Sequence, residues 1–184
     1  MGEVSDRNLV ARAREDPEAF GAIITRFEAP RRRYLRRITN VPHQDLDDLL
    51  QDTFLKAYQN LNAYDARFPL SSWMYRIART TAISDWRKRT VRPTDYTLDD
   101  PESTWELADP GDLLEELART HEAAEIPRGL GQIRPLYRDV LVLRFWEGKS
   151  YDEISDIIEK PPGTVATLIH RAKRALAEAL AEQR

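Results

Sequence analysis

Apolar positions recur every three or four residues along most of this chain, and no stretch alternates apolar and polar long enough to make a strand. The spacing predicts a helix over 6–14, stopped near Asp16-Pro17. A longer helix follows, with Phe20, Ile23, Ile24 and Phe27 on one face, and Pro30 is expected to bend it before Tyr34, Leu35 and Ile38 continue the stripe. A third helix is predicted over 45–61. Leu46, Leu49, Leu50, Phe54, Ala57, Tyr58 and Leu61 face inward there, and Asp45, Asp48, Asp52 and Gln59 face outward. After the loop NAYDARFPL (62–70), Ser71 or Ser72 is the expected N-cap of a fourth helix over 73–89. That helix places Arg76, Arg79, Thr80, Ile83 and Arg87 on one face and Trp73, Ile77, Ala78 and Thr81 on the other.

The period lapses over 93–111, where three prolines and many acids predict a linker; residues 112–125 read as a short docking or transient helix. It resumes near Ile126 with helices over 128–134 and 135–146, whose core is drawn from Leu136, Val140, Leu141, Leu143 and Phe145 or Trp146. Residues 150–174, SYDEISDIIEKPPGTVATLIHRAKR, then read as a helix-turn-helix. Ile154, Ile157 and Ile158 line one face of its first helix. Lys160-Pro161-Pro162-Gly163 makes the turn, because proline cannot continue a helix and disfavours helical geometry in the residue before it. The second helix has Thr167, His170, Arg171, Lys173 and Arg174 on its outer face, an arrangement that suits a DNA major groove. The fold class is therefore all-α: two small helical domains, over 1–92 and 126–184, joined by an acidic flexible linker over 93–125.

Composition alters this picture at two points. The 184 residues contain no cysteine, which excludes disulfides and thiolate metal sites, and no run of about 18 apolar residues that would suggest a membrane span. With no apolar leader at the N-terminus either, a cytoplasmic protein without membrane insertion is expected. The net charge of −3 hides a division along the chain. Residues 1–92 hold 17 Lys/Arg against 12 Asp/Glu, residues 93–128 hold 2 against 11, and residues 129–184 hold 9 against 8. Two neutral-to-basic modules thus flank a strongly acidic segment.

Catalytic chemistry is not indicated. His43, His121 and His170 fall in separate segments, no nucleophile motif or phosphate-binding glycine loop accompanies them, and neither a cofactor nor a metal is expected. The mix of aromatic and basic residues after position 62 carries more information. Tyr64, Arg67 and Phe68, followed by Trp86 and the Arg76–Arg89 charges, combine π-faces with phosphate-pairing cations, as single-stranded DNA requires. Trp73 and Tyr58 are assigned to the core, and the run Arg31, Arg32, Arg33, Arg36, Arg37 to a solvated face.

With these blocks placed, the chain resembles the extracytoplasmic-function (ECF) branch of the sigma-70 family of bacterial RNA polymerase sigma factors. DLDDLLQDTFLKAYQNLNAYDARFPLSSWMYRIARTTAISDWRKR (45–89) is similar to the family's region 2, and YRDVLVLRFWEGKSYDEISDIIEKPPGTVATLIHRAKRAL (137–176) to its region 4. The resemblance implies a dissociable specificity subunit of core RNA polymerase. Asp48, Gln51 and Asp52 would dock on the coiled coil of the β′ subunit. Tyr64, Arg67 and Phe68 would capture a flipped base of the −10 element, with Arg76, Arg79, Thr80 and Arg87 along the single strand. The linker would thread the RNA exit channel. Region 4 would sit on the β flap and read the −35 duplex through Thr164, Thr167, His170, Arg171 and Arg174. An anti-sigma factor is a further partner the family admits, with Leu168 expected to be exposed to it. Two departures stand out: Thr80 replaces a common Asn, and Ala166-Thr167-Leu168 replaces a stretch with two cations, which suggests a different −35 preference. Gly129 and Gly131 also sit where helix formers are usual. Two other readings remain: a stand-alone helix-turn-helix regulator, which the acidic helix and the aromatic loop disfavour, and a sigma mimic that sequesters an anti-sigma factor, which Arg76, Arg79, Arg87 and Lys88 disfavour.

Overall fold

Every regular element is helical among residues 5–89 and 125–182, which the computed structural model describes. The expected linker over 93–125, with its docking helix over 112–125, lies outside the described residues except for Glu125, which opens the next helix. The chain divides into two compact units, taken here in turn.

The first unit holds α1 (Asp6–Glu15), α2 (Phe20–Ile38), α3 (His43–Gln59) and α4 (Leu70–Arg89), with short 3₁₀ turns at Pro17–Ala19 and Leu61–Ala63. Each boundary has a local cause. The Ser5 hydroxyl accepts from the Asn8 amide to cap α1, and Asp16 accepts from the Glu18 amide to open the following turn. The long helix α2 runs unbroken through Pro30, which deprives one carbonyl of its donor. Leu9 and Val10 of α1, Ile23, Tyr34 and Leu35 of α2, Leu49 and Phe54 of α3, and Leu70, Met74 and Ala78 of α4 form the core. An edge-to-face contact between Tyr34 and Tyr75, 5.0 Å between ring centroids, joins α2 to α4.

A charged side chain sits at that same junction. Arg31, assigned above to a solvated face, is 1% exposed. Its guanidinium lies 3.5 Å from the centre of the Tyr75 ring and 5.1 Å from that of Phe27, and it donates to the Ser71 carbonyl at 2.8 Å. Arg31 falls on the inward stripe of α2, four residues after Phe27 and three before Tyr34, but its charge argued for solvent. Its planar cation can turn in because aromatic faces and a carbonyl meet it there.

The fourth helix begins at Leu70, so neither Ser71 nor Ser72 is its N-cap. The cap comes from far away in sequence: the Leu70 amide donates to Asp6 of α1 at 3.0 Å. Tyr58, expected in the core, is 42% exposed and keeps only an edge contact with Phe20, 5.2 Å between centroids.

The second unit contains α5 (Glu125–Gln132), α6 (Pro135–Leu141), a π-helical turn (Val142–Trp146), α7 (Tyr151–Ile158) and α8 (Pro162–Ala181). A buried arginine recurs here. Arg138 donates from Nε to the Leu130 carbonyl at 2.6 Å and from Nη2 to that of Gly131 at 2.9 Å, satisfying carbonyls that the end of α5 leaves without donors. Gly129 permits a close approach of helices: a Cβ there would lie 2.9 Å from both Leu176 Cδ1 and Leu180 Cδ2 of α8. Gly131 has open space around it. The π turn leaves Phe145 37% exposed and Trp146 half-buried, so neither of the two candidates is fully enclosed in the core. Glu159 closes α7 in the left-handed region, at φ 57°.

Two stability predictions follow. Arg31→Ala lowers the unfolding free energy by about 3 kcal/mol, and Arg31→Lys recovers only part of that loss, because an ammonium group cannot stack and donate in one plane. Glu159→Gly raises stability by about 1 kcal/mol by removing a Cβ from left-handed backbone. Urea unfolding of the full chain measures both.

Candidate docking and nucleic-acid surfaces

The exposed ridge of α3 carries Asp48, Gln51 and Asp52, and all three are solvent-accessible. Beside them, α2 and α3 border an open groove of about 700 Å³. Phe20, Ile24, Phe54, Leu55 and Tyr58 give it an apolar floor, while Glu28, Arg32, Asp47 and Asp52 give it charged rims. Arg32 bridges the rims by pairing with both Asp47 and Glu28, and these carboxylates hold its guanidinium pKa above the usual arginine value. Leu55, 52% exposed, is the residue that sequence periodicity missed, and Tyr58 the one it placed in the core. The signal was an apolar arc on α3 too wide for one buried face.

The loop between α3 and α4 is built around a buried phenol. Tyr64 is 6% exposed, its ring meets Trp73 edge-on at 5.4 Å, and its hydroxyl donates to the Phe68 carbonyl at 2.7 Å. Burial, then the nearby Asp6 carboxylate, raises its pKa above the ordinary tyrosine value and keeps it a donor. Tyr64 was expected to stack on a base; in this structure it is enclosed, and the base-facing candidates reduce to Arg67 and Phe68. Arg67 is 84% exposed and pairs with Asp65 at 2.5 Å, a contact that holds the Asp65 carboxyl below its usual range. Phe68 is half-buried. Arg14 reaches across from α1 to the other end of the loop. Its Nη2 lies 3.0 Å from the carbonyl of Leu61, 3.4 Å from that of Asn62 and 3.1 Å from that of Tyr64.

Along α4, Arg76 and Arg79 are half-buried, and Thr80 and Arg87 are exposed. The Thr80 hydroxyl bonds back to the Arg76 carbonyl at 2.8 Å. Arg89, at the far end, pairs with Asp45 of α3 at 2.5 Å and with Asp85 at 2.8 Å.

In the second unit, α7 opens with a complete capping box between Ser150 and Glu153. Lys149 adds an ion pair to Glu153 at 2.7 Å. Burial alone would raise the Glu153 pKa, but the bonds from Lys149 and Ser150 together outweigh it and hold the carboxyl below the ordinary glutamate range. Glu159 turns the chain, the Lys160 amide donates back to the Ser155 carbonyl, and Pro162 occupies the first position of α8, where its missing N–H costs nothing. From α8, Thr167, His170 and Arg174 are exposed, while Thr164 and Arg171 are half-buried.

Residues 23–92 match the Sigma-70 region 2 family and residues 123–176 match Sigma-70, region 4. The chain is 31% identical to RNA polymerase sigma-H factor of Pseudomonas aeruginosa, over 98% of this chain and 96% of that protein. It is 32% identical to ECF RNA polymerase sigma factor SigW of Bacillus subtilis, over 90% of each chain. This chain belongs to the ECF sigma factors of the sigma-70 family. Its fold is similar to that of the sigma factor RpoE from Bartonella quintana, solved in complex with the anti-sigma factor NepR. The TM-score is 0.64 at 22% identity, covering 90% of this chain and 98% of that one.

Three expectations for region 4 of this sigma factor are corrected by burial. Lys173, expected on the outer face of α8, is 1% exposed, with its ammonium 4.8 Å from the centre of the Phe145 ring. Leu168 is buried, so it is not the exposed contact expected for an anti-sigma factor. Ala166 is buried as well. The two positions where family cations are replaced therefore do not face outward here, and the outward face of α8 runs through 167, 170 and 174. A strict helical projection cannot distinguish an outward cation from one whose long stem folds against an aromatic ring.

The capping box makes the helix-turn-helix sensitive to acid. Because the Glu153 pKa is depressed in the fold, its stabilising effect is complete above about pH 4.5 and is lost as the pH falls through its folded-state value. Glu153→Gln flattens that acid limb when unfolding is followed against pH. Tyr64→Phe keeps the contact with Trp73 but removes the bond to Phe68, at a cost of about 1 kcal/mol measured by urea unfolding.

Proposed function

We propose that this ECF sigma factor acts in the cytoplasm as a dissociable subunit of core RNA polymerase. It gives the enzyme its promoter choice and assists melting of the −10 element, with no chemistry of its own. Family membership over nearly the whole chain supports the reading. The observation that carries it is the pairing of region 2 and region 4 on one chain, each with polar side chains of the right type on its solvent face.

In this reading Asp48, Gln51 and Asp52 meet cationic side chains of the β′ coiled coil, and the apolar groove beside them, with Leu55 and Tyr58, takes up an apolar partner face. Charge sets orientation and encounter rate, and the buried apolar area supplies most of the affinity. Arg67 and Phe68 at the loop tip hold an unstacked base, while Arg76, Arg79, Thr80 and Arg87 follow the strand. Melting is then a trap: thermal opening exposes a base at a cost of a few kcal/mol, and stacking plus phosphate pairing at about 1–3 kcal/mol per base keeps it out. Thr164, Thr167, His170, Arg171 and Arg174 read the −35 duplex, with region 4 seated on the β flap. Ala166 and Leu168, where the family has cations, add none to this module, and a different −35 preference is part of the reading. An inhibitory partner such as an anti-sigma factor would have to cover these same surfaces.

Transcription in vitro with core enzyme over a randomised promoter library tests the whole reading. The complex should select one −10 and one −35 element; initiation no more selective than that of core alone overturns it. Asp48→Asn together with Asp52→Asn should weaken core binding about tenfold and leave −35 duplex binding unchanged. Arg174→Ala should weaken −35 binding, relax base preference at the position it reads and reduce the salt slope by at most about one unit.

A further inference from the structure

We propose that α1 is a two-point clamp that fixes the loop between α3 and α4 in its DNA-binding shape, with Arg14 and Asp6 as positioning residues. The inference rests on the base-capture role given to that loop above. Helix α1 precedes the region 2 match, which begins at residue 23, and none of the docking or DNA-facing candidates lies on it.

The clamp is visible at both ends of the loop. At the entrance, the chain leaves α3 through the 3₁₀ turn Leu61–Ala63, where the Tyr64 amide donates back to the Leu61 carbonyl. Arg14 supplies one guanidinium nitrogen to the carbonyls of Leu61, Asn62 and Tyr64. At the exit, the first amide of α4, Leu70, donates to Oδ2 of Asp6 at 3.0 Å. The other oxygen of Asp6 pairs with Arg26 of α2 at 3.1 Å, which holds the carboxylate in place. Asp6 and Arg14 are eight residues apart on one helix, a rise of about 12 Å, so both ends of the loop are tied to one rigid rod. Inside the clamp, Tyr64 adds its bond to the Phe68 carbonyl.

The segment left at the tip contains Arg67 and Phe68, and Arg67 is paired there to Asp65, two residues away. Fixing a loop before binding removes an ordering cost that the complex would otherwise bear when it captures a base. Arg14 and Asp6 would thus raise affinity for single-stranded −10 DNA without touching it.

The test uses holoenzyme assembled with core, and a labelled single-stranded oligonucleotide carrying the −10 element selected from the library. Arg14→Ala and Asp6→Ala should each weaken oligonucleotide binding about tenfold. Core affinity and −35 duplex binding should be unchanged, and amide exchange over residues 64–70 should quicken. Arg14→Lys, which keeps a donor but not the planar fork, should restore part of the affinity. Unchanged oligonucleotide binding in the Arg14 and Asp6 variants overturns the clamp if Arg67→Ala and Phe68→Ala reduce it. A loss that extends equally to core and −35 binding also overturns it, because that is the mark of general unfolding. If Arg67→Ala and Phe68→Ala leave binding intact, base capture by this loop fails and the clamp's purpose fails with it. That outcome is told apart by loop exchange, which still responds to Arg14→Ala.

Discussion

The first unit depends on a cation held where water does not reach. Arg31 lies over Tyr75, beside Phe27, and donates to the Ser71 carbonyl in the first turn of α4. A buried guanidinium is stable only where aromatic faces and oxygen acceptors replace its hydration, and all are present here. The contact fixes how α2 meets α4, and therefore where the loop before α4 ends and in which direction the Arg76–Arg87 face points. The second unit reaches the same solution independently: Arg138 is enclosed by the carbonyls at the end of α5. Small helical modules leave several helix ends near the core, and an arginine with a forked donor group can satisfy two carbonyls at once.

Much of this architecture was legible in the sequence because long amphipathic helices announce themselves by period. The helix-turn-helix could be placed by the isoleucine face of its first helix and by Pro161-Pro162, each of which acts locally. Contacts between residues distant in sequence were not legible. No local rule links Asp6 to the amide of Leu70, and a serine at the right offset looked like the cap instead. Arg31 sat in a run of five arginines, and its place on the apolar stripe between Phe27 and Tyr34 was outweighed by its charge. Tyr64 lay beside a turn, where aromatic residues are often exposed, but a hydroxyl acceptor at Phe68 and a ring partner at Trp73 drew it inward. Tyr58 went the other way: its position on α3 fits the stripe, but the groove between α2 and α3 is left uncovered. The candidate surfaces were thus easier to locate than the side chains that hold them.

The candidate DNA-facing surfaces and their surroundings share a pattern of local charge pairing. Arg67 rests on Asp65, Arg174 on Glu178 at 3.4 Å, and Arg89 on Asp45 and Asp85. The arginines of these pairs are exposed, so each pair contributes little to stability and can exchange readily for another anion. They keep long side chains near useful positions while the total charge stays modest, which limits nonspecific attraction to nucleic acid.

Such pairing also changes what a titration with electrolyte would count. When an arginine leaves a carboxylate of its own chain for a phosphate, the acid must recruit a mobile cation from solution, which offsets the cation the duplex gives up. The protein behaves as an ion exchanger already loaded with its own counter-charges. Its grip on DNA should therefore fade more gradually with ionic strength than the number of its arginines suggests.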